Sequence, residues 1–138
     1  MAPLIHGSLV HLLANLLPLF FLGTCLYFFY DRIADMVWIN CYLLTNVIVW
    51  IFGRPYFHIG SSGLVYGLAV FLICLGLFRA SIKSILISIA VILTYGSIIY
   101  GIIPSASGRV SWESHLAGTC VGMFMAFFYS QKPKLSRY

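Results

Sequence analysis

The chain has 138 residues, 62% of them hydrophobic and only 8% charged, with a mean hydropathy of +1.00. That balance excludes a soluble domain of this length and puts the chain in a lipid bilayer, its first partner. The formal charge of +5 does not point to nucleic acid, because the basic residues sit scattered at the ends of apolar stretches and form no patch with interleaved aromatics.

Five apolar stretches, 7–29, 33–53, 62–79, 84–103 and 114–130, approach or exceed the roughly 17 to 25 residues that span the hydrocarbon as helix. The expected fold is all-α, a polytopic membrane helix bundle of about five transmembrane helices forming one domain over 1–138. Helix one carries Pro18 and the polar pair His11 and Asn15. It is too long for a signal peptide and lacks the charged leading region of one. Helix two has Asp35 near its start, then Asn40 and Asn46; intramembrane polar groups of this kind face the bundle. The loop from Arg54 to Ser61 mixes Pro55, Gly60 and two aromatics, so it is read as irregular backbone leading into helix three, tolerated at membrane depth only beside a cavity.

Helix three opens at Ser62. Helix four, Ile85 to Ile103, has Thr94 and Ser97 as its notable polar residues and is expected to be a continuous packing element. The segment Pro104 to Arg109 reads as a flexible loop, and helix five opens near His115. Cys25, Cys41, Cys74 and Cys120 fall within apolar stretches without the paired spacing of a zinc or redox motif, so they are read as small hydrophobes. No metal and no cofactor is expected.

Charge sets the orientation. With the last helix ending inside, Arg32, Arg79, Lys83, Lys132, Lys134 and Arg137 are cytoplasmic and only Arg54 and Arg109 lie on the far face. Helix one then begins outside, which leads to the expectation of one further spanning helix upstream of this sequence. His11 and Asn15 fall about 6 and 12 Å below the start of helix one, and Ser62 and His115 near the starts of helices three and five, so all four share the outer leaflet.

His11 and Asn15 share a helical face, as do Ser62 and Tyr66. Gly63 and Gly67, and Gly118, Gly122 and Ala126, have the spacing that lets helix backbones approach closely. If the two sets pack together, Ser62 and His115 meet. Ser62 would then be the nucleophile, with His115 accepting its proton and returning it to a leaving amine. The Ser62 backbone N–H at a glycine-rich helix start, assisted by the His11 and Asn15 side chains, would hold the oxyanion. Losing one such donor costs about 3 to 4 kcal/mol of transition-state stabilisation.

No aspartate lies where a third catalytic member is expected, so a dyad is the simpler reading; Glu113 is read as a solvated loop charge, with the orienting of His115 as its lesser alternative. Each residue also has a plainer reading: a membrane serine bonded to its own helix, an interhelical histidine, a packing tyrosine at Tyr66, an interfacial anchor at His6, and a surface loop residue at His58.

The stretch from His6 through His11 to Asn15 resembles the second-helix signature of the rhomboid intramembrane serine proteases. Gly60-Ser61-Ser62-Gly63 resembles the family's G-x-S-G nucleophile motif, and His115 with Gly118 and Gly122 its final-helix histidine. The resemblance covers nearly the whole chain, as family helices two to six without the first helix and first loop. It implies Ser62 as nucleophile, His115 as base, His11 and Asn15 as oxyanion stabilisers and Tyr66 stacked beneath the His115 ring. It further implies an endopeptidase cutting transmembrane protein substrates near their outer ends, in a bacterial cell membrane or an organellar one. Two readings compete: a catalytically inactive rhomboid-like protein that binds transmembrane clients, and a small transporter with His11, Asn15 and Asp35 along a polar path.

Overall fold

A computed structural model describes residues 5–55, 59–103 and 111–133. His58, Arg109, Lys134, Arg137 and the loop from Pro104 to Gly108 lie outside the described residues. Helix α1 spans Leu9–Phe29 and begins where the Ser8 hydroxyl accepts the His11 N–H at 3.1 Å, satisfying one of the first turn's unpaired donors. Helix α2 spans Ala34–Phe52; its first-turn carboxylate, Asp35, complements the helix dipole and accepts the Tyr27 hydroxyl at 2.7 Å. Helix α3 spans Ser62–Arg79 and stops at Ala80, whose left-handed backbone (φ 49°) ends the helical run. Helix α4 spans Ile82–Tyr95, capped by Ser81, and α5 spans Trp112–Ser130.

Three of these helices, α1, α2 and α3, are long and apolar enough to cross a membrane. The first two turns of α5 carry Glu113, Ser114, His115 and Thr119, which lowers its hydropathy. The protein is an integral membrane protein, with Trp50 85%, Leu93 82% and Val10 76% exposed on its outer surface, where only hydrocarbon would tolerate them.

The fourth apolar stretch departs from expectation. Its α-helix ends at Tyr95, and Gly96–Ile102 continue as a 3-10 helix. Gly96 and Gly101 lack the side chains that favour an α-helical turn, and the tighter winding lengthens the segment. Fourteen α residues reach about 21 Å, and seven 3-10 residues add about 14 Å, enough to cross a hydrocarbon core of about 30 Å. Helix four also does more polar packing than its sequence announces. Ser88 donates to the Ile73 carbonyl at 3.0 Å, and Ser84 meets the Tyr30 hydroxyl at 3.2 Å.

Helix α3 is the axis of the bundle: 67% of its span is buried, against 22% for α1 and 17% for α2. Lipid tails are as apolar as leucine, so close backbone packing and interhelical hydrogen bonds must select the protein-facing side. Here the glycines do so. A Cβ on Gly118 would overlap the Gly63 carbonyl oxygen, and one on Gly122 the Gly67 carbonyl oxygen. On the α2 side, a Cβ at Gly63 would come 2.9 Å from the Thr45 methyl, and one at Gly67 would come 3.2 Å from Cys41. Below this seam Leu68, Phe71, Leu72 and Leu75 pack with Leu22, Leu26 and Val37 into a closed apolar core.

Candidate active site

The seam fixes the heights of α3 and α5 so that their first turns face one another. Ser62 begins α3, and His115 lies in the first turn of α5 with 7% of its surface exposed. The His115 Nε2 atom lies 2.9 Å from Ser62 Oγ. Its Nδ1 atom lies 2.8 Å from the carbonyl oxygen of Gly101 in the 3-10 helix. A carbonyl can only accept, so Nδ1 carries the proton, and in the neutral ring Nε2 accepts from the Ser62 hydroxyl.

Tyr66, one turn below Ser62 on α3, stacks on the His115 ring with centroids 4.0 Å apart and planes 6° from parallel. The imidazole is therefore held at three places: by a carbonyl on one edge, a hydroxyl on the other and a phenol ring on its face. Gly101 must be glycine for this geometry, because a Cβ there would run into the Tyr66 hydroxyl and come 3.1 Å from His115 Nδ1.

Gly60 brings α1 to the same end of the bundle. Its φ of +90° is a conformation only glycine adopts without strain. A Cβ there would fall 2.7 Å from His11 Nε2 and 3.3 Å from Asn15 Nδ2, so both side chains lie against the backbone two residues before Ser62. Asn15 is buried and donates one amide hydrogen to the His11 carbonyl at 3.0 Å, which leaves its second for another acceptor. His6 meets the His11 ring edge-on at 5.2 Å, and its own Nε2 is buried without a hydrogen-bond partner among the described residues.

Two features escaped the sequence. The Gly101 carbonyl is a backbone group without a side-chain signature; the nearest hint was a glycine repeated five residues after Gly96. Glu113 is not a solvated charge. Its side chain is only 10% exposed and pairs with Arg54, whose guanidinium also lies 5.7 Å from the Trp112 ring centroid. A carboxylate inside the rim needs a cation, and the start of the loop after α2 supplies it. Glu113 thus ties that loop to α5, and the group on His115 Nδ1 is the Gly101 carbonyl.

Fold and site together define a polytopic helical membrane protein with a serine hydroxyl and a histidine ring hydrogen-bonded at one end of a glycine-packed bundle. Residues 1–132 match the Rhomboid domain, and the chain belongs to the rhomboid family. It is similar to an uncharacterized protein of Mycobacterium tuberculosis, 34% identical over 146 residues covering 99% of this chain and 60% of that protein. An uncharacterized protein of Mycobacterium leprae is 31% identical over 152 residues, covering 99% of this chain and 57% of that protein. The chain therefore spans about 60% of the length of the curated relatives it matches.

Proposed function

We propose that this chain carries the catalytic core of an intramembrane serine endopeptidase that cleaves transmembrane segments of other membrane proteins. The observation that carries the reading is the 2.9 Å contact between His115 Nε2 and Ser62 Oγ, in a ring whose other nitrogen is committed to Gly101. A serine bonded only to its own helix would not present its hydroxyl to the bare nitrogen of a ring that Tyr66 also stacks against.

In the proposed reaction Ser62 Oγ bonds to the scissile carbonyl carbon while its proton passes to His115 Nε2. The imidazolium then gives that proton to the leaving amine as the C–N bond breaks. Water, activated by the same nitrogen, releases the new carboxyl end and restores Ser62. The Gly101 carbonyl orients the ring and faces its Nδ1–H, the edge across which an imidazolium spreads its charge. The tetrahedral oxyanion would sit among the Ser62 N–H, the free amide hydrogen of Asn15 and the His11 ring.

Among the described residues four basic side chains, Arg32, Arg79, Lys83 and Lys132, lie at the end away from the site, and Arg54 alone lies beside it. By the positive-inside rule the site faces the extracytoplasmic side. The mycobacterial relatives support a bacterial cell membrane as its home. The test is labelling of the purified, lipid-reconstituted chain with a fluorophosphonate probe. Modification mapped to Ser62 and dependent on His115 supports catalysis. A folded sample that stays unlabelled returns the chain to the client-binding reading.

A further inference from the structure

A second feature lies at the opposite end of the bundle. Helices α1 and α4 both pack on α3 but leave a cleft between them of about 260 Å³, lined by Cys25, Phe29, Lys83, Leu86, Ile87 and Ala90. Toward the site end the cleft is bridged by the Phe21 and Tyr95 rings, with centroids 5.6 Å apart. At its mouth stands Lys83, whose ammonium lies 5.5 Å from the Phe29 ring centroid and 5.9 Å from that of Tyr30. Among the described residues no carboxylate forms an ion pair with Lys83.

The lining is apolar throughout except for this one exposed cation at the membrane surface. A water-filled polar pocket would need several hydrogen-bonding groups, and a second protein helix would find a slot too short to hold it. From Lys83 to Ala90 the cleft runs about 10 Å along α4, within the roughly 15 Å of one leaflet. The ammonium is parked over two ring faces, which orients it without neutralising it.

The geometry points to a phospholipid site: an acyl chain in the α1–α4 cleft, with its anionic headgroup on Lys83. The inference stands apart from the chemistry at Ser62. Basic side chains beside intramembrane clefts on the cytoplasmic face recognise anionic headgroups in this way.

Native mass spectrometry of the full chain, titrated with phosphatidylglycerol against phosphatidylcholine of the same acyl chains, tests it. The wild type should retain one phosphatidylglycerol in preference, and Lys83→Gln should reduce that preference about fivefold. Ala90→Phe, which fills the cleft, should lower retention of both lipids. Arg32→Gln, on the turn between α1 and α2, should change nothing. An unchanged preference in Lys83→Gln, or an equal loss in Arg32→Gln, would overturn the site in favour of diffuse surface charge.

A second measurement needs no variant. Cys25 lines the cleft, so phosphatidylglycerol should slow its maleimide labelling, followed by peptide mapping, more than phosphatidylcholine does. Equal rates in the two lipids would also overturn the proposal.

Discussion

The Gly101 carbonyl oxygen lies 2.8 Å from His115 Nδ1, and that contact decides which nitrogen of the ring is bare. Nitrogen NMR of the chain labelled at histidine should show His115 protonated at Nδ1 and unprotonated at Nε2 in the resting state. The reverse tautomer would contradict the geometry. Replacing the Ile102 amide with an ester weakens the Gly101 carbonyl as an acceptor. It should slow probe labelling about threefold to tenfold, as expected for about 1 kcal/mol of hydrogen bond, with the helix content unchanged.

Ser62→Ala removes one hydroxyl from the edge of α3. Thermal stability should shift by no more than about 1 kcal/mol, the net worth of a single hydrogen bond, while covalent labelling disappears. His115→Ala should also abolish labelling, by at least about a thousandfold, since the hydroxyl then has no base. Labelling that persists in Ser62→Ala would move the nucleophile elsewhere.

Asn15→Ala tests the oxyanion assignment. Turnover of a transmembrane substrate should fall about a hundredfold with KM nearly constant, because the lost donor acts only on the developing charge. A rise in KM alone would make Asn15 a binding residue. Gly60→Ala should be worse than Asn15→Ala, since it adds backbone strain of about 1 to 3 kcal/mol to a collision with His11.

Gly118→Ala places a methyl group against the Gly63 carbonyl and should destabilise the bundle by about 1 to 3 kcal/mol, in the range of overpacked cores. Gly96→Ala is the matched control. Among the described residues its Cβ would meet just the Ile92 side chain at 3.6 Å, and its φ of −60° suits any residue. Unfolding midpoints in one detergent should separate the two variants; equal midpoints would mean that the glycine seam carries little of the packing.

Arg54 and Glu113 join the loop after α2 to the first turn of α5, two residues before His115. A double-mutant cycle with Arg54→Gln and Glu113→Gln should give a coupling of about 1 kcal/mol in stability. Each single variant should also slow labelling at Ser62 by loosening that first turn. A coupling of zero would reduce the pair to a surface contact.

Much of this was legible in the sequence because it rests on periodicity. The four-residue spacing of Gly63 with Gly67 and of Gly118 with Gly122 announces a close helix pair, and from it follows the height of Ser62 opposite His115. The ends of the other helices were legible to within about two residues from the limits of the apolar stretches, but α4 ends at Tyr95, eight residues before the expected Ile103. The break at Gly96 was not legible, since Ile85 to Ile103 is mostly apolar and isolated glycines inside such a run often leave the helix intact. Nor was the Gly101 carbonyl, a backbone group that only the 3-10 turn aims at the ring. Arg54 and Glu113 are 59 residues apart, and nothing in the loop composition pairs them.

Because His115 rides on α5, the last helix of the described chain, the serine is synthesised well before its proton acceptor. Ser62 belongs to α3, and the ring nitrogen that meets its hydroxyl belongs to α5. Both the tautomer and the stacking arrive only when α5 slides its glycines against α3. On the proposed chemistry, the order of the helices along the chain would leave the hydroxyl without its base until the last of them has docked.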